Sequence, residues 1–171
     1  GQIIAGGSFT TAGGGASPHV AAWNGSAWVS MGAGLNDTVR SLAIYNGELY
    51  AGGEFTASGA SPVARFAKWN GSAWVSPGAG VDGAIWAMRI VDSDLLVGGN
   101  FASAVPTTGV LLNHLALWNG SSFRRFNQGI DNTVLALATN GSDVYAAATV
   151  PPYIFRATPA NPPSVDAVLA S

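Results

Sequence analysis

The chain repeats itself, and the repeat decides what it can fold into. Ile3-Ile4-Ala5-Gly6-Gly7-Ser8-Phe9 returns as Leu49-Tyr50-Ala51-Gly52-Gly53-Glu54-Phe55 and again as Leu95-Leu96-Val97-Gly98-Gly99-Asn100-Phe101, at a step of 46 residues. A degenerate fourth copy, Val144-Tyr145-Ala146-Ala147-Ala148, has alanines in place of the glycine pair. A second block follows each of the first three copies. Trp23-Asn24-Gly25-Ser26-Ala27-Trp28 matches Trp69-Asn70-Gly71-Ser72-Ala73-Trp74 and then Trp118-Asn119-Gly120-Ser121-Ser122-Phe123. The last step is three residues longer, so the third unit carries an insertion before its Trp. A third block is Gly34-x-Asn36-x-x-Val39, Gly80-x-Asp82-x-x-Ile85 and Gly129-x-Asp131-x-x-Val134. Self-similarity at this period means that one supersecondary unit is being stacked.

Each unit reads as four strands, a to d. Strand a is 39–45, 85–91 and 134–139. Strand b is the Gly-Gly run. Strand c ends at the Trp before Asn-Gly, and strand d begins at the second aromatic. Asn46-Gly47 and Asn140-Gly141 are expected to join a to b, and Asn24-Gly25, Asn70-Gly71 and Asn119-Gly120 to join c to d. Asn-Gly between apolar runs is the strongest short hairpin signal, because a type I′ turn needs positive φ at both central residues. No amphipathic helix pattern appears. Glycine weakens a strand interior. The Gly-Gly pair is therefore expected to mark a close approach of neighbouring units, with Phe and Trp filling the space between them.

The expected fold class is all-β, a β-propeller built of four-stranded antiparallel blades. The chain carries about three and a half of them: it opens at strand b and closes with a, b and a strand c over 153–157. Residues 1–157 form the blades. Residues 158–171, with Pro159, Pro162 and Pro163, read as a linker or a strap over the last blade. A partial ring leaves strand edges open. Three completions are expected to compete: membership in a larger propeller, a homo-oligomer sharing the ring, or one composite blade made from the two ends.

The Gly-Gly doublet with a downstream Trp resembles the kelch motif. The fuller pattern, aliphatic-Tyr-Ala-Gly-Gly-x-Phe followed by Ala-x-Trp-Asn-Gly-Ser-x-Trp, resembles more closely a kelch-like repeat of bacterial secreted proteins and fungal cell-cortex landmark proteins. The resemblance covers about residues 2–157. It implies a propeller and an extracellular or cell-surface setting, and it implies no common activity.

Composition narrows the function. Charged residues make up 9 % of the chain and hydrophobic ones 48 %, with net charge −2, against about 25 % charged in an average domain. Among the seven basic residues only Arg124 and Arg125 adjoin, so no basic stripe exists for nucleic acid. No apolar run reaches membrane-spanning length. There is no Cys, hence no disulfide framework. No phosphate loop, dinucleotide fingerprint or nucleophile elbow is present, and no cofactor is expected.

The meander sends loops b–c and d–a to one face. Those loops are long and varied, and varied loops on a rigid scaffold are where binding sits. On that face Asn36, Asp82 and Asp131 recur before strand a. They offer either a ring of oxygens for sugar hydroxyls or a cation, or turn-forming side chains that cap their loops. His19, Arg65 and His114 recur four residues before each Trp. They offer either a ring of donors for glycans and acidic groups, or a polar position at the start of a half-exposed strand. Glu54 is a lone acid that is either catalytic or hydrogen-bonded. The leading expectation is a non-catalytic binding or adhesion module that recognises protein or glycan through this face. The alternatives are a propeller glycoside hydrolase or lyase, with Asp82 and Asp131 as the carboxylate pair, and a purely structural repeat segment.

Overall fold

The computed structural model describes residues 2–106, 109–140, 143–150, 154–157 and 165–168. Among them the chain is all-β, with antiparallel sheets and no helix. Three sheets have four strands in the order a-b-c-d. The second sheet is Val39–Tyr45, Glu48–Gly53, Phe66–Trp69 and Trp74–Val75. The third is Ile85–Val91, Asp94–Gly99, Leu115–Trp118 and Phe123–Arg125. The fourth is Val134–Asn140, Asp143–Ala148, Ile154–Ala157 and Val165–Val168. The first sheet has strands b, c and d only: Ile3–Gly6, Val20–Trp23 and Trp28–Ser30. Within the stretch 158–171, Val165–Val168 pairs with strand c as the fourth strand of its sheet. A short run with β-branched ends outweighs the proline signal that precedes it.

The strands are apolar in runs because both faces of the inner sheets are covered. Side chains alternate across a strand. In the third sheet Leu95, Val97, Ala116 and Trp118 pack towards the second sheet, while Leu96, Leu115 and Leu117 pack towards the fourth. Three core layers result, one between each pair of successive sheets. The middle layer holds the most rings among the described residues: Phe66 stacks on Tyr50 at 5.2 Å and meets Trp118 and Phe123 edge-on at 5.3 and 5.1 Å. The Trp that ends each strand c faces the aromatic that begins strand d, at 5.7, 5.5 and 4.9 Å. Trp118 is fully buried, whereas Trp23 and Trp69 are half-buried.

The glycine doublet has a steric cause. A Cβ on Gly6, Gly52 or Gly98 would lie 2.5, 2.5 or 2.6 Å from a methyl of Val39, Ile85 or Val134, the first residue of strand a in the next sheet. The second glycine does a different job: at Gly53 and Gly99 a Cβ would strike the carbonyl of Thr38 and Ala84, just ahead of the unit's own strand a. Pairing of a with b slips by one residue at the same place in each sheet, between Val39 and Ser41, Ile85 and Ala87, and Val134 and Ala136. Each slip is a β-bulge whose extra residue is Arg40, Trp86 or Leu135.

The turns divide. Asn46 and Gly47 have φ of 50° and 77° and form the expected two-residue hairpin between Tyr45 and Glu48. The hairpin expected at Asn140-Gly141 includes Gly141, which lies outside the described residues. The c–d turns differ from expectation. Trp23 pairs with Trp28, and Trp69 with Trp74, so four residues intervene. Only the glycine has positive φ (103°, 99° and 97° at Gly25, Gly71 and Gly120). The Asn side chain holds the turn: Asn24 Oδ1 accepts from Ser26 N, Ser26 Oγ and Ala27 N, and Asn70 and Asn119 repeat this. Asn is chosen for its amide oxygen rather than for a left-handed backbone.

Candidate functional site on the loop face

Loops b–c and d–a share one face and are tied to each other. Asn36 Oδ1 accepts from Thr56 N and Ala57 N at 2.8 and 2.9 Å, and its Nδ2 donates to Thr56 Oγ1. Asp82 Oδ1 accepts from Ala102 N and Ser103 N at 2.8 and 2.9 Å. These two side chains hold a d–a loop to the b–c loop that follows it. Each side chain therefore spans two loops 20 residues apart in sequence. Asp131 is exposed. The positions matching Thr56 and Ala57 are Pro151 and Pro152, outside the described residues, and proline carries no N–H to offer. Asp82→Ala is expected to cost about 1–2 kcal/mol, at roughly 1 per lost hydrogen bond. Asp82→Asn is expected to be near neutral, since Asn36 does the same work with an amide oxygen. Urea melts of the two variants check both.

His19, Arg65 and His114 occupy corners. All three have left-handed backbone, with φ of 62°, 61° and 66°. That conformation lets each residue bond strand b twice: the N–H donates to Phe9, Phe55 or Phe101 O, and the carbonyl accepts from Gly7, Gly53 or Gly99 N. Their side chains also turn inward to backbone. His19 Nδ1 lies 3.2 Å from Gly7 O, and His114 Nδ1 lies 2.7 Å from Ile130 O. Arg65 Nη1 donates to Val81 O at 3.4 Å. Each of the three side chains thus has a backbone partner in its own chain. Glu54 is hydrogen-bonded: it accepts from Arg40 Nε and Nη2. The Arg40 guanidinium in turn lies 4.6 Å over the Trp86 ring, a cation–π contact between two bulge residues of neighbouring sheets.

A cleft of about 380 Å³ opens on this face at the junction of the second and third sheets. Its walls are the b–c loop of the second unit (Pro62, Val63, Ala64), the d–a loop (Ala79, Gly80) and the b–c loop of the third unit (Val105, Pro106). Arg65, fixed to Val81 O, is the one charged residue on its lining. The third-unit wall belongs to the loop that carries the three-residue insertion. In the first two units the b–c loop folds back on itself, Thr11–Ala12 against Gly15–Ala16 and Ala57–Ser58 against Ser61–Pro62. In the third, the loop also folds back, through a Ser103–Leu111 bridge, and Ala104–Val105 pairs in addition with Gly80–Val81 of the d–a loop. Of the six residues singled out from sequence, Arg65 alone lines the cleft. Ala79, Val105 and Pro106 were not foreseen; the three-residue insertion was the signal that pointed to them.

The opposite face carries exposed ion pairs at the first residue of strand b: Glu48–Lys68 at 2.8 Å, Asp94–Arg124 at 2.7 Å and Asp143–Arg156 at 2.8 Å. The Lys68 ammonium hydrogen bond, with help from the Tyr50 hydroxyl, holds the Glu48 carboxyl below its ordinary value. Among the described residues no group of three or more His, Cys, Asp or Glu is placed to hold a metal ion. No helix among them is long and apolar enough to cross a membrane. No protein-family model and no curated protein sequence matches this chain.

Proposed function

We propose that the protein is a non-catalytic binding module, built of kelch-like propeller blades, whose loop-face cleft takes an extended apolar segment of a partner protein. The apolar cleft between the second and third sheets carries this reading. It is concave, lined by aliphatic and proline carbons, and walled by loops that Asp82 and the Gly80–Val105 pairing hold in place. Pockets of this kind bind by apolar contact, with a few polar groups fixing orientation. Among the described residues no aromatic ring lines it to offer the stacking surface that favours a sugar face, and protein is preferred to glycan as the ligand. The successive sheets, each receiving the next strand a into a glycine socket, support a bladed arrangement. An extracellular or cell-surface setting accompanies the kelch-like resemblance.

The test is panning of a random-peptide display library against the protein and against Ser76→Tyr. Ser76 lines the cleft and is exposed, so its replacement blocks the opening without entering the core. Enriched peptides are expected to carry aliphatic or proline side chains and to lose binding to Ser76→Tyr. Peptides that bind both proteins alike would move the ligand site elsewhere. Binding to a glycan array, blocked by the same variant, would replace the protein ligand with a sugar.

A further inference from the structure

Arg65 differs in its surroundings from the other basic residues of the chain. Arg40, Lys68, Arg124 and Arg156 each face a carboxylate. Arg89 and Arg125 have no such partner among the described residues, but both are exposed to water. Arg65 is half-buried, lines the apolar cleft, and pairs with no carboxylate among the described residues.

Its guanidinium carries five N–H donors. One is used: Nη1 donates to Val81 O at 3.4 Å, near the outer limit of a hydrogen bond. Nε and Nη2 meet no acceptor among the described residues, and neither is sealed in the interior. The counterparts at the same corner, His19 and His114, set a ring nitrogen on a backbone carbonyl at 3.2 and 2.7 Å. A neutral imidazole needs no counter-charge, whereas a guanidinium stays charged. A charge held against apolar walls costs free energy unless it is paired. Asp82, the residue after Val81, turns its Oδ1 to Ala102 N and Ser103 N instead.

We infer that the partner segment in the cleft carries an Asp or Glu side chain that binds the Arg65 guanidinium. The inference rests on the cleft reading above and adds the polar half of the recognition. The planar fork of Nε and Nη2 matches the two oxygens of a carboxylate. The apolar walls strengthen that pair relative to one in open water. Aliphatic or proline residues on either side of the acid meet Pro62, Val63, Val105 and Pro106. The same positive charge turns away basic segments. The carboxylate belongs to a side chain rather than to a chain end, because capture of a chain end draws on free backbone N–H groups. Around Arg65 these are committed: Thr56 N, Val63 N, Arg65 N and Val81 N donate to Asn36 Oδ1, Thr56 O, Phe55 O and Ala64 O.

The random-peptide library is panned at about pH 8 against the protein and against Arg65→His. That variant installs the residue found at both equivalent corners, and it is uncharged at that pH. Enriched peptides are expected to share one Asp or Glu between aliphatic or proline residues. The strongest is synthesised with an amidated C-terminus and titrated by fluorescence anisotropy, alongside a form whose acid is changed to Asn or Gln. The changed form is expected to bind the protein about tenfold to a hundredfold more weakly. Arg65→His, and Arg65→Met as a second variant, are expected to bind both forms alike. Enriched peptides with no shared acid, equal binding of the two forms by the protein, or a preference for the acid that survives in both variants overturns the inference. Binding that requires a free C-terminus overturns the side-chain assignment. Peptides blocked by Ser76→Tyr but indifferent to Arg65 would leave the cleft standing and remove this inference alone; peptides indifferent to Ser76→Tyr would remove both.

Discussion

Phe66→Ala is expected to cost about 3–5 kcal/mol, the range for an aromatic truncated to alanine in a packed core. Phe66 is fully buried and is the one ring that touches Tyr50 of its own sheet and both Trp118 and Phe123 of the next. Its loss leaves a void between two sheets whose backbones are pinned by their own hydrogen bonds, so the walls cannot close on it. For a chain of this length each kcal/mol shifts the melting temperature by about 2–4 °C. A fall of about 6–20 °C is expected in a thermal melt. Ile44→Ala, at a position 60 % exposed, is the matched control and is expected to stay within about 0.5 kcal/mol. A similar loss in both variants would mean that the middle layer is not the core that holds the second and third sheets together.

Gly52→Ala is expected to destabilise by about 1–3 kcal/mol, the usual cost of overpacking. The direction is the informative part. In a strand with open space the same change is stabilising by a few tenths of a kcal/mol or more, because alanine restricts the unfolded chain. Here the new methyl would sit 2.5 Å from Ile85 Cγ2, 3.0 Å from Ile85 Cβ and 3.3 Å from Met88 Sδ. Ile85→Ala removes the methyl that collides. By itself it should cost about 2–5 kcal/mol as a cavity. The double variant should therefore be more stable than the sum of the two single losses, by a coupling of about 0.5–3 kcal/mol. Additive losses in urea melts would refute the socket. The fourth sheet carries alanine at this position, Ala147, where among the described residues no following strand a packs against it.

The strands were legible because their signals are local. The apolar runs, the Gly-Gly step and Asn46-Gly47 placed strand a of the second and third sheets at the residues the structure gives. What was not legible depends on where separate segments meet. Asn24-Gly25 is the same dipeptide as Asn46-Gly47, yet it opens a four-residue loop. Its Asn oxygen finds three donors just downstream, and a dipeptide rule does not count donors. The Asn36 and Asp82 positions stood out in the sequence as a polar residue repeated before strand a. Their partners, the N–H groups twenty residues on, lie in loops whose path no periodicity encodes. The cleft was least visible of all. Its walls come from three loops, and its chemistry is the ordinary chemistry of Ala, Val and Pro. Val165–Val168 was hidden for a similar reason: the strand that receives it lies across a proline-rich stretch.

The three bulges separate two demands that usually conflict. Along strand a, the residues on either side of the slip are committed, one to the neighbouring glycine socket and one to the pairing with strand b. The inserted residue answers to neither. Arginine, tryptophan and leucine take that place in turn, at no cost in register to the strands around them. Exchanging these three side chains should therefore alter the charge and polarity of the inner edge while leaving the sheets as they are, much as a tool head is changed on a fixed handle.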